Sequence, residues 1–321
     1  MAIDAEKEST RVNILVLGGH GFVGKVVVRN LLAKNHQVTA LSRRDGVDLT
    51  KWEDTQQTFK RIQPEAIVNC AAHVGSLHYV SQYAATVLDD NLQMLLNVFR
   101  ATQQMVPQAR LIHPISNCSY PGEANVHTES AWWDGAVHKS VWSYGNSRRM
   151  IGVLSDCYAS QYKLNLVNFF APNAYGPGDY TDPNKTHALN GLIIRMLQAQ
   201  RKGDKQFEIW GTGKPEREWI YVEDLARMLS DSVQAKESQP LAINIAQNAA
   251  YSIRQTAELI REAIGYTGEL TFNTKYQDGA MRKILDATEF RRKYPDFRFT
   301  DYAVGIKNTV AYYRQELGKS S

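Results

Sequence analysis

Short apolar runs alternate with longer amphipathic segments along the first half of the chain. The runs VNILVLG (12–18), HQVTALS (36–42), EAIVNCAA (65–72), RLIHPIS (110–116) and LNLVNFF (164–170) are rich in β-branched and aromatic residues. Such runs predict buried strands of a parallel sheet. Segments with the apolar spacing of helices, such as 89–105 and 144–162, separate them. The alternation predicts an α/β fold with a doubly wound parallel sheet.

The pattern changes after about residue 173. The stretch APNAYGPGDYTDPNKTH is rich in Pro, Gly and Asn and predicts a loop region. We expect a nucleotide-binding domain from residues 12–173 plus 218–247. We expect a smaller, discontinuous substrate-binding lobe from residues 174–217 plus 248–315. We expect the polar segment 1–11 to be a disordered N-terminus.

Composition excludes several function classes. The 321 residues are 43% hydrophobic and 22% charged. The net charge of +4 is too small to indicate a surface that binds nucleic acid. The sequence offers neither a membrane-spanning run nor a signal peptide. The three cysteines have no metal or disulfide spacing, so we expect no metal, a reducing cytoplasm, and core positions for Cys70 and Cys157.

Three glycines lie between the first strand and the following helix. Gly18, Gly21 and Gly24 form G-x-x-G-x-x-G. Glycine allows a tight turn and a close approach of the backbone to a pyrophosphate, which the helix N-terminus then binds. In this context the motif predicts a Rossmann-type dinucleotide site, whereas the triplet alone would be only a tight turn.

The end of the second strand bears on the choice of cofactor. NAD sites typically have an acidic residue there, whereas this chain has Ser42, Arg43 and Arg44. Guanidinium groups bind phosphate in a bidentate manner, which favours NADP(H); a solvated basic turn is the alternative. Asp48 is a candidate acceptor for the adenine amino group or an ordinary loop carboxylate.

Longer motifs carry a family resemblance. GGHGFVG, NCAAHVG, Ser116 after a strand and Tyr144 at a helix start resemble the extended short-chain dehydrogenase/reductases, also called the NAD-dependent epimerase/dehydratase family. SNCSYP, APNAYGP, NKTHALNGLIIR, IWGTGKPEREWIYVEDLA and DGAMRKILD resemble the GDP-L-fucose synthase group within that family. These enzymes epimerise and reduce GDP-4-keto-6-deoxymannose. The resemblance covers about residues 12–315.

The resemblance implies NADP(H), a GDP-linked nucleotide-sugar substrate, and a homodimer formed through helices. The implied catalytic residues are Ser116, Tyr144, Arg148, Cys118 and His187. The implied cofactor contacts are Gly18, Gly21, Phe22, Val23, Gly24, Arg43, Asp48, Ala71, Tyr144 and Arg148. The implied substrate contacts are Asn173, His187, Arg195, Trp210, Arg217 and Lys283. Only Arg148 departs from the family residue type, which is lysine.

These residue types suit the implied chemistry. Tyr144 would donate a proton to a 4-keto oxygen while Ser116 orients the carbonyl. Cys118 and His187 would remove and return protons on the carbons beside the ketone. Arg148 keeps the positive charge and the donors of lysine, but it stays protonated and cannot relay a proton.

Several functions remain open at this level. The first is an NADPH-dependent epimerase/reductase of a 4-keto GDP-sugar. The second is a 4-keto reductase alone, acting on a related GDP-deoxysugar or heptose. A third is a nucleotide-binding sensor or scaffold weakened by Arg148, and a fourth is another nucleotide-sugar epimerase or dehydratase.

Overall fold

The structure is a computed structural model that describes residues 11–182, 185–235, 238–276, 278 and 280–319. The segment 1–11, for which disorder is expected, lies outside the described residues except for Arg11. The strands are β1 Asn13–Leu17, β2 Gln37–Leu41, β3 Ala66–Asn69, β4 Arg110–Ser116, β5 Val126–His127, β6 Asn165–Ala171, β7 Asn173–Tyr175, β8 Gln206–Trp210, β9 Glu216–Arg217, β10 Trp219–Tyr221, β11 Gln239–Asn244, β12 Tyr251–Ser252, β13 Glu269–Asn273 and β14 Arg282–Leu285.

The helices alternate with these strands through most of the first half of the chain. They are α1 Phe22–Ala33, α2 Trp52–Ile62, α3 Leu77–Gln82, α4 Ala84–Met105, α5 Trp142–Tyr162, α6 Ala188–Lys202, α7 Val222–Asp231, α8 Ile253–Ile264, α9 Thr288–Lys293 and α10 Tyr302–Lys319. The predicted strands and helices are present with small shifts of their ends. The helix expected from residue 89, for example, begins at Ala84.

The described part of the chain has a central six-stranded parallel sheet in the order β11-β6-β4-β3-β1-β2. Successive residues of β1 point to opposite faces. Ile14 and Val16 pack with α1 and α7, whereas Leu15 and Leu17 pack with α2 and α4. Burial on both faces explains the continuous apolar runs of the sequence. The predicted α/β, doubly wound fold is confirmed.

A second hydrophobic core lies outside this sheet. It is formed mainly by α6, α8 and α10, and it also includes apolar residues of the short pair β8 and β13. A four-stranded sheet, in the order β12-β9-β14-β5, lies beside it. Because β5 pairs with β14, the chain before residue 173 also contributes a strand to this lobe.

The buried carboxylate of Glu218 ties loop segments of the two regions together. It accepts hydrogen bonds from the backbone N–H groups of Gln247 (2.8 Å) and Leu285 (2.9 Å). Burial raises the pKa of Glu218 to about 7, although these hydrogen bonds oppose the shift. Arg217 on β9 and Lys283 on β14 are thereby held beside the carboxyl end of the main sheet.

Candidate functional site

The glycine-rich turn is built so that no side chain fits its inner surface. Gly18 has φ +69°, and a Cβ there would lie 2.8 Å from the backbone nitrogen of Ala71. A Cβ on Gly24 would lie 2.1 Å from the carbonyl oxygen of Gly18. Gly21 N donates to Gly18 O (2.9 Å), which closes the turn just before α1. This cradle fits a dinucleotide pyrophosphate at the helix N-terminus.

The remaining residues of the predicted cofactor site surround this turn. Phe22 and Val23 form the first turn of α1, and Phe22 is buried. Ala71 follows β3, and its N–H donates to the side chain of Asn69 (3.2 Å). Asp48 is held in a local turn, where its carboxylate accepts from the N–H and hydroxyl of Thr50 (3.1 and 2.8 Å).

A carboxylate is present at the end of β2, which the sequence reasoning missed. Arg43 and Arg44 belong to a short 3-10 turn that ends at Asp45. The Asp45 side chain points back and accepts hydrogen bonds from the N–H (2.8 Å) and hydroxyl (3.0 Å) of Ser42. The sequence did contain a signal for this arrangement, because a serine followed three residues later by an aspartate has the spacing of a capping box.

Three of the other predicted catalytic residues, Ser116, Cys118 and Arg148, lie around the predicted proton donor Tyr144. Tyr144 lies in the first turn of α5, half-buried, and its phenol is hydrogen-bonded to Ser116. The guanidinium carbon of Arg148 lies 5.5 Å from the centroid of the Tyr144 ring. Burial raises the pKa of Tyr144 above its ordinary value, and the nearby Cys118 raises it further. The Arg148 charge and the hydrogen bond with Ser116 lower this pKa, but they do not offset the effect of burial. The structure thus brings these four residues together.

Asn91 on α4 holds Arg148 and was not predicted. Its side-chain oxygen accepts from an Arg148 terminal nitrogen at 2.8 Å and from the His73 N–H at 3.0 Å. Its side-chain nitrogen donates to the carbonyls of His73 (2.8 Å) and Val87 (2.7 Å). One buried amide therefore fixes the cation and the loop after β3. An asparagine inside an amphipathic helix gave no distinct signal.

Arg148 and Arg149 point to different parts of the protein. Arg149 donates to the carbonyl oxygens of Ser119, Trp132 and Gly135. It therefore supports the turn that carries Cys118 and is not a substitute for Arg148 beside Tyr144.

Cys118 lies in a tight turn directly after β4. Its N–H donates to the Ser116 hydroxyl (3.2 Å), and its carbonyl packs so closely on Gly145 that a Cβ there would lie 2.5 Å away. Trp132 anchors the same turn through its indole N–H, which donates to the Ser119 hydroxyl (3.1 Å). The thiol lies within electrostatic range of Arg217.

His187 directly precedes α6 and is paired with Asp179, another residue that sequence reasoning missed. The carboxylate of Asp179 lies 3.0 Å from His187 Nδ1 and accepts from the His187 N–H (2.8 Å) and from Asn190 (2.9 Å). Burial opposes ionisation of Asp179, but these hydrogen bonds outweigh it and hold its pKa below the ordinary value. A carboxylate on Nδ1 orients the ring and leaves Nε2 free for proton transfer.

The predicted substrate contacts form two groups. Arg217 and Lys283 occupy paired positions of β9 and β14, and Asn173 pairs with Trp219 between β7 and β10. The second group is built around Trp210, whose half-exposed ring stacks on Tyr276 with centroids 4.8 Å apart. Arg195 lies over Trp210, 5.3 Å from the ring centroid, and donates to the Glu208 carbonyl (2.6 Å).

Three further expectations concern membrane-spanning helices, metal sites and the position of Cys157. Within the described residues, no helix is long and apolar enough to cross a membrane, and no group of His, Cys, Asp or Glu side chains is arranged to hold a metal ion. The expectation that Cys157 belongs to the core is wrong, because this residue is exposed on α5. Apolar neighbours in a helical sequence did not distinguish its outward face.

Comparisons with known proteins identify the family of the chain. Residues 14–246 match the family model described as the NAD dependent epimerase/dehydratase family. The GDP-L-fucose synthase of Dictyostelium discoideum is 28% identical over 309 residues, covering 95% of this chain and 96% of that protein. GDP-L-fucose synthase 1 of Arabidopsis thaliana is 30% identical, with 86% and 85% covered.

Solved structures give the same result. A GDP-L-fucose synthetase from Naegleria fowleri bound to NADP superposes with a TM-score of 0.85 at 26% identity, covering 98% of this chain and 99% of that one. A GDP-6-OMe-4-keto-L-xylo-heptose reductase from C. jejuni shares the fold, with a TM-score of 0.87 at 23% identity and 96% and 99% covered. The family resemblance in the sequence is confirmed: the chain belongs to the NAD dependent epimerase/dehydratase family of extended short-chain dehydrogenase/reductases.

Proposed function

We propose that the protein is an NADPH-dependent epimerase/reductase of a GDP-linked 4-keto-6-deoxy sugar. The observation that carries this proposal is the arrangement around Tyr144, which has Ser116, Cys118 and Arg148 as its electrostatic or hydrogen-bonding neighbours. GDP-L-fucose synthases from several organisms, similar over most of both chains, support the substrate class. The NADP-bound relative supports the cofactor.

The cofactor would lie on the cradle of Gly18, Gly21 and Gly24, with Arg43 and Arg44 near its adenosine end. Bound NADPH supplies the hydride for reduction of the ketone. Ser116 orients the ketone oxygen, and Tyr144 donates a proton to it. Arg148 then stabilises the negative charge that remains on the Tyr144 oxygen, because its guanidinium is already buried beside the ring.

Epimerisation would use Cys118 and His187. One group removes a proton from a carbon beside the ketone, and the other returns a proton to the opposite face. The Asp179 carboxylate supports this role for His187, since its contact with Nδ1 fixes the orientation of the ring and leaves Nε2 available for proton transfer. Arg217 and Lys283 supply positive charge for the diphosphate.

Substrate turnover tests the proposal. Purified protein should oxidise NADPH in the presence of GDP-4-keto-6-deoxymannose, and NMR should identify a reduced, epimerised product. Without NADPH, incubation in D₂O should exchange the protons at C3 and C5. Reduction without exchange would support a 4-keto reductase alone. Cofactor binding with no turnover of any 4-keto nucleotide sugar would contradict an enzymatic function and favour a sensor.

Asp179→Asn should impair epimerisation more than reduction. An amide cannot hold the His187 ring through a charged contact at Nδ1, so we expect C3 and C5 exchange in D₂O to fall about 10²-fold while NADPH oxidation changes much less. Asp182→Asn, in the same loop but in an exposed pair with Lys185, is the matched control. Equal losses in exchange and reduction would indicate that Asp179 only maintains the fold of the loop.

Arg148→Lys should keep activity within about tenfold of the wild type, since charge and donors are retained. Arg148→Met should lower kcat by about 10²- to 10³-fold because it removes the cation beside Tyr144. The lysine variant should also lose rate at alkaline pH, where an ammonium group releases its proton and a guanidinium does not. Complete loss in Arg148→Lys would mean that the arginine contributes more than charge.

We also propose a homodimer formed through α4 and α5. These helices pack on each other, and Leu96 and Tyr162 leave 48% and 44% of their surface exposed on them. Exposed apolar side chains on a helix pair suit a second copy of the same face. Sedimentation velocity at micromolar concentration should give a dimer, and the double substitution Leu96→Glu, Tyr162→Glu should give a monomer; a monomeric wild type would contradict the proposal.

A further inference from the structure

One contact in the cofactor site has no part in the chemistry described so far. His20, between two glycines of the glycine-rich turn, lies with Nε2 3.1 Å from the Asp45 carboxylate. Both side chains are partly open to solvent, with 26% and 30% of their surface exposed. A titratable residue of the turn is therefore paired with an acidic residue that follows β2.

This pair lies where the adenosine ribose of a dinucleotide is bound. The N–H of Gly19 donates to the carbonyl of Leu41 at 3.1 Å, which fastens the turn to the last residue of β2. In Rossmann-type sites the groups at the end of the second strand contact the 2′ position of that ribose. His20 and Asp45 therefore flank the position that distinguishes NADP from NAD.

Asp45 is a fixed negative charge in this position. The hydrogen bonds from the N–H and hydroxyl of Ser42 hold its side chain in place. The small burial of Asp45 opposes its ionisation, but the bonds from Ser42 and the charges of His20 and Arg44 outweigh it, so its pKa lies below the ordinary value. Near neutral pH this carboxylate offsets part of the arginine charge and repels a phosphate.

We propose that His20 and Asp45 make the preference for NADPH over NADH dependent on pH. A protonated His20 neutralises Asp45 and adds a third cation to Arg43 and Arg44, which strengthens binding of the 2′-phosphate. A neutral His20 leaves the carboxylate uncompensated and weakens that binding. The proposal rests on the proposed use of NADPH and identifies His20 as a specificity-determining residue.

The other charges at this position do not change between pH 6 and 8. Arginine side chains keep their charge throughout this range. The neighbouring carboxylate of Asp48 stays ionised, because its pKa lies below the ordinary value. Slight burial opposes this lowering of the pKa, but the hydrogen bonds from Thr50 and the charges of Arg43 and Lys51 outweigh the effect of burial. Histidine is the side chain type that changes charge in this range. A 2′-phosphate loses part of its own charge near pH 6, so the window from about pH 6.5 to 8 is the informative one.

The direction of the effect follows from proton linkage. A phosphate beside His20 favours the protonated ring, so NADPH binding should take up protons in this window and NADH binding should not. As pH falls from 8 to 6.5, the ratio of the NADH Kd to the NADPH Kd should rise about threefold to tenfold, the size expected for one added charge at a partly exposed site.

The experiment measures cofactor binding without substrate. Nicotinamide fluorescence gives the Kd of NADPH and of NADH at pH 6.5, 7.2 and 8.0, and calorimetry in two buffers of different ionisation enthalpy gives proton uptake. His20→Gln should abolish the pH dependence of the ratio and the proton uptake. Asp45→Asn should strengthen NADPH binding at pH 8 about threefold to tenfold and should not strengthen NADH binding, because a carboxylate at this position repels a 2′-phosphate but can accept a hydrogen bond from a 2′-hydroxyl. His78→Gln, an exposed histidine on α3, is the control and should behave as the wild type.

The outcomes separate this inference from the proposed function. A pH dependence that persists in His20→Gln would overturn the role of His20, and unchanged NADPH affinity at pH 8 in Asp45→Asn would overturn the role of the carboxylate. In both cases NADPH would still bind, so the proposed function would stand. Failure of the wild type to bind either cofactor, by contrast, would remove the proposed function itself.

Discussion

The buried guanidinium of Arg148 imposes the strongest constraint on the active-site region. It is 4% exposed, and in the described residues no carboxylate lies within salt-bridge distance. A buried charge without a counter-ion costs several kcal/mol, so its surroundings must be arranged for it. Asn91 supplies a neutral acceptor at 2.8 Å, and Arg148 Nε has no hydrogen-bond partner within the described part of the chain. The fold thus maintains a buried cation that has one neutral acceptor and a further unused donor.

The neighbourhood of Arg148 agrees with this requirement. His113 on β4 is fully buried, and burial together with the Arg148 charge lowers its pKa to about 3, so it stays neutral and adds no second cation. The ring of Tyr144 is the nearest group that becomes negative during the proposed reaction, when its oxygen gives up a proton. Arginine is therefore a physically reasonable replacement for lysine here. A permanent positive charge is enough to stabilise the phenolate of Tyr144, and this stabilisation does not need a side chain that can release a proton, as lysine can.

Sequence reasoning located the parts of this site that depend on local patterns. Gly18, Gly21 and Gly24 are identified by their spacing after a strand, and Tyr144 by its position at a helix start. The family resemblance was needed for Cys118 and His187, because a single cysteine or histidine has no local signature. Residues that belong to a local motif could thus be proposed from the sequence, whereas single residues without such a motif could be proposed only by comparison.

The residues that were missed are those whose role depends on a partner. Asn91 meets Arg148 across 57 positions of sequence, and Asp45 meets His20 only because Gly19 is bonded to the end of β2. Cys157 was misplaced for a related reason, since the outward face of α5 is defined by packing against α4. No periodicity encodes such pairings, because they arise only when separate helices and turns pack against one another in the fold.

The N-terminal end of α1 joins the cofactor site to the proposed epimerisation site. The Phe22 ring, at the start of α1, lies 5.2 Å from the ring of His187, and Lys25 of the same helix donates to the carbonyl of Gly178. Gly178 directly precedes Asp179, whose carboxylate orients His187. Because protein interiors are close-packed, a shift of the α1 N-terminus displaces this loop as well. The glycine-rich turn therefore sets the position of His187, the proposed proton-transfer residue, as well as that of the dinucleotide, and both halves of the proposed reaction share one rigid frame.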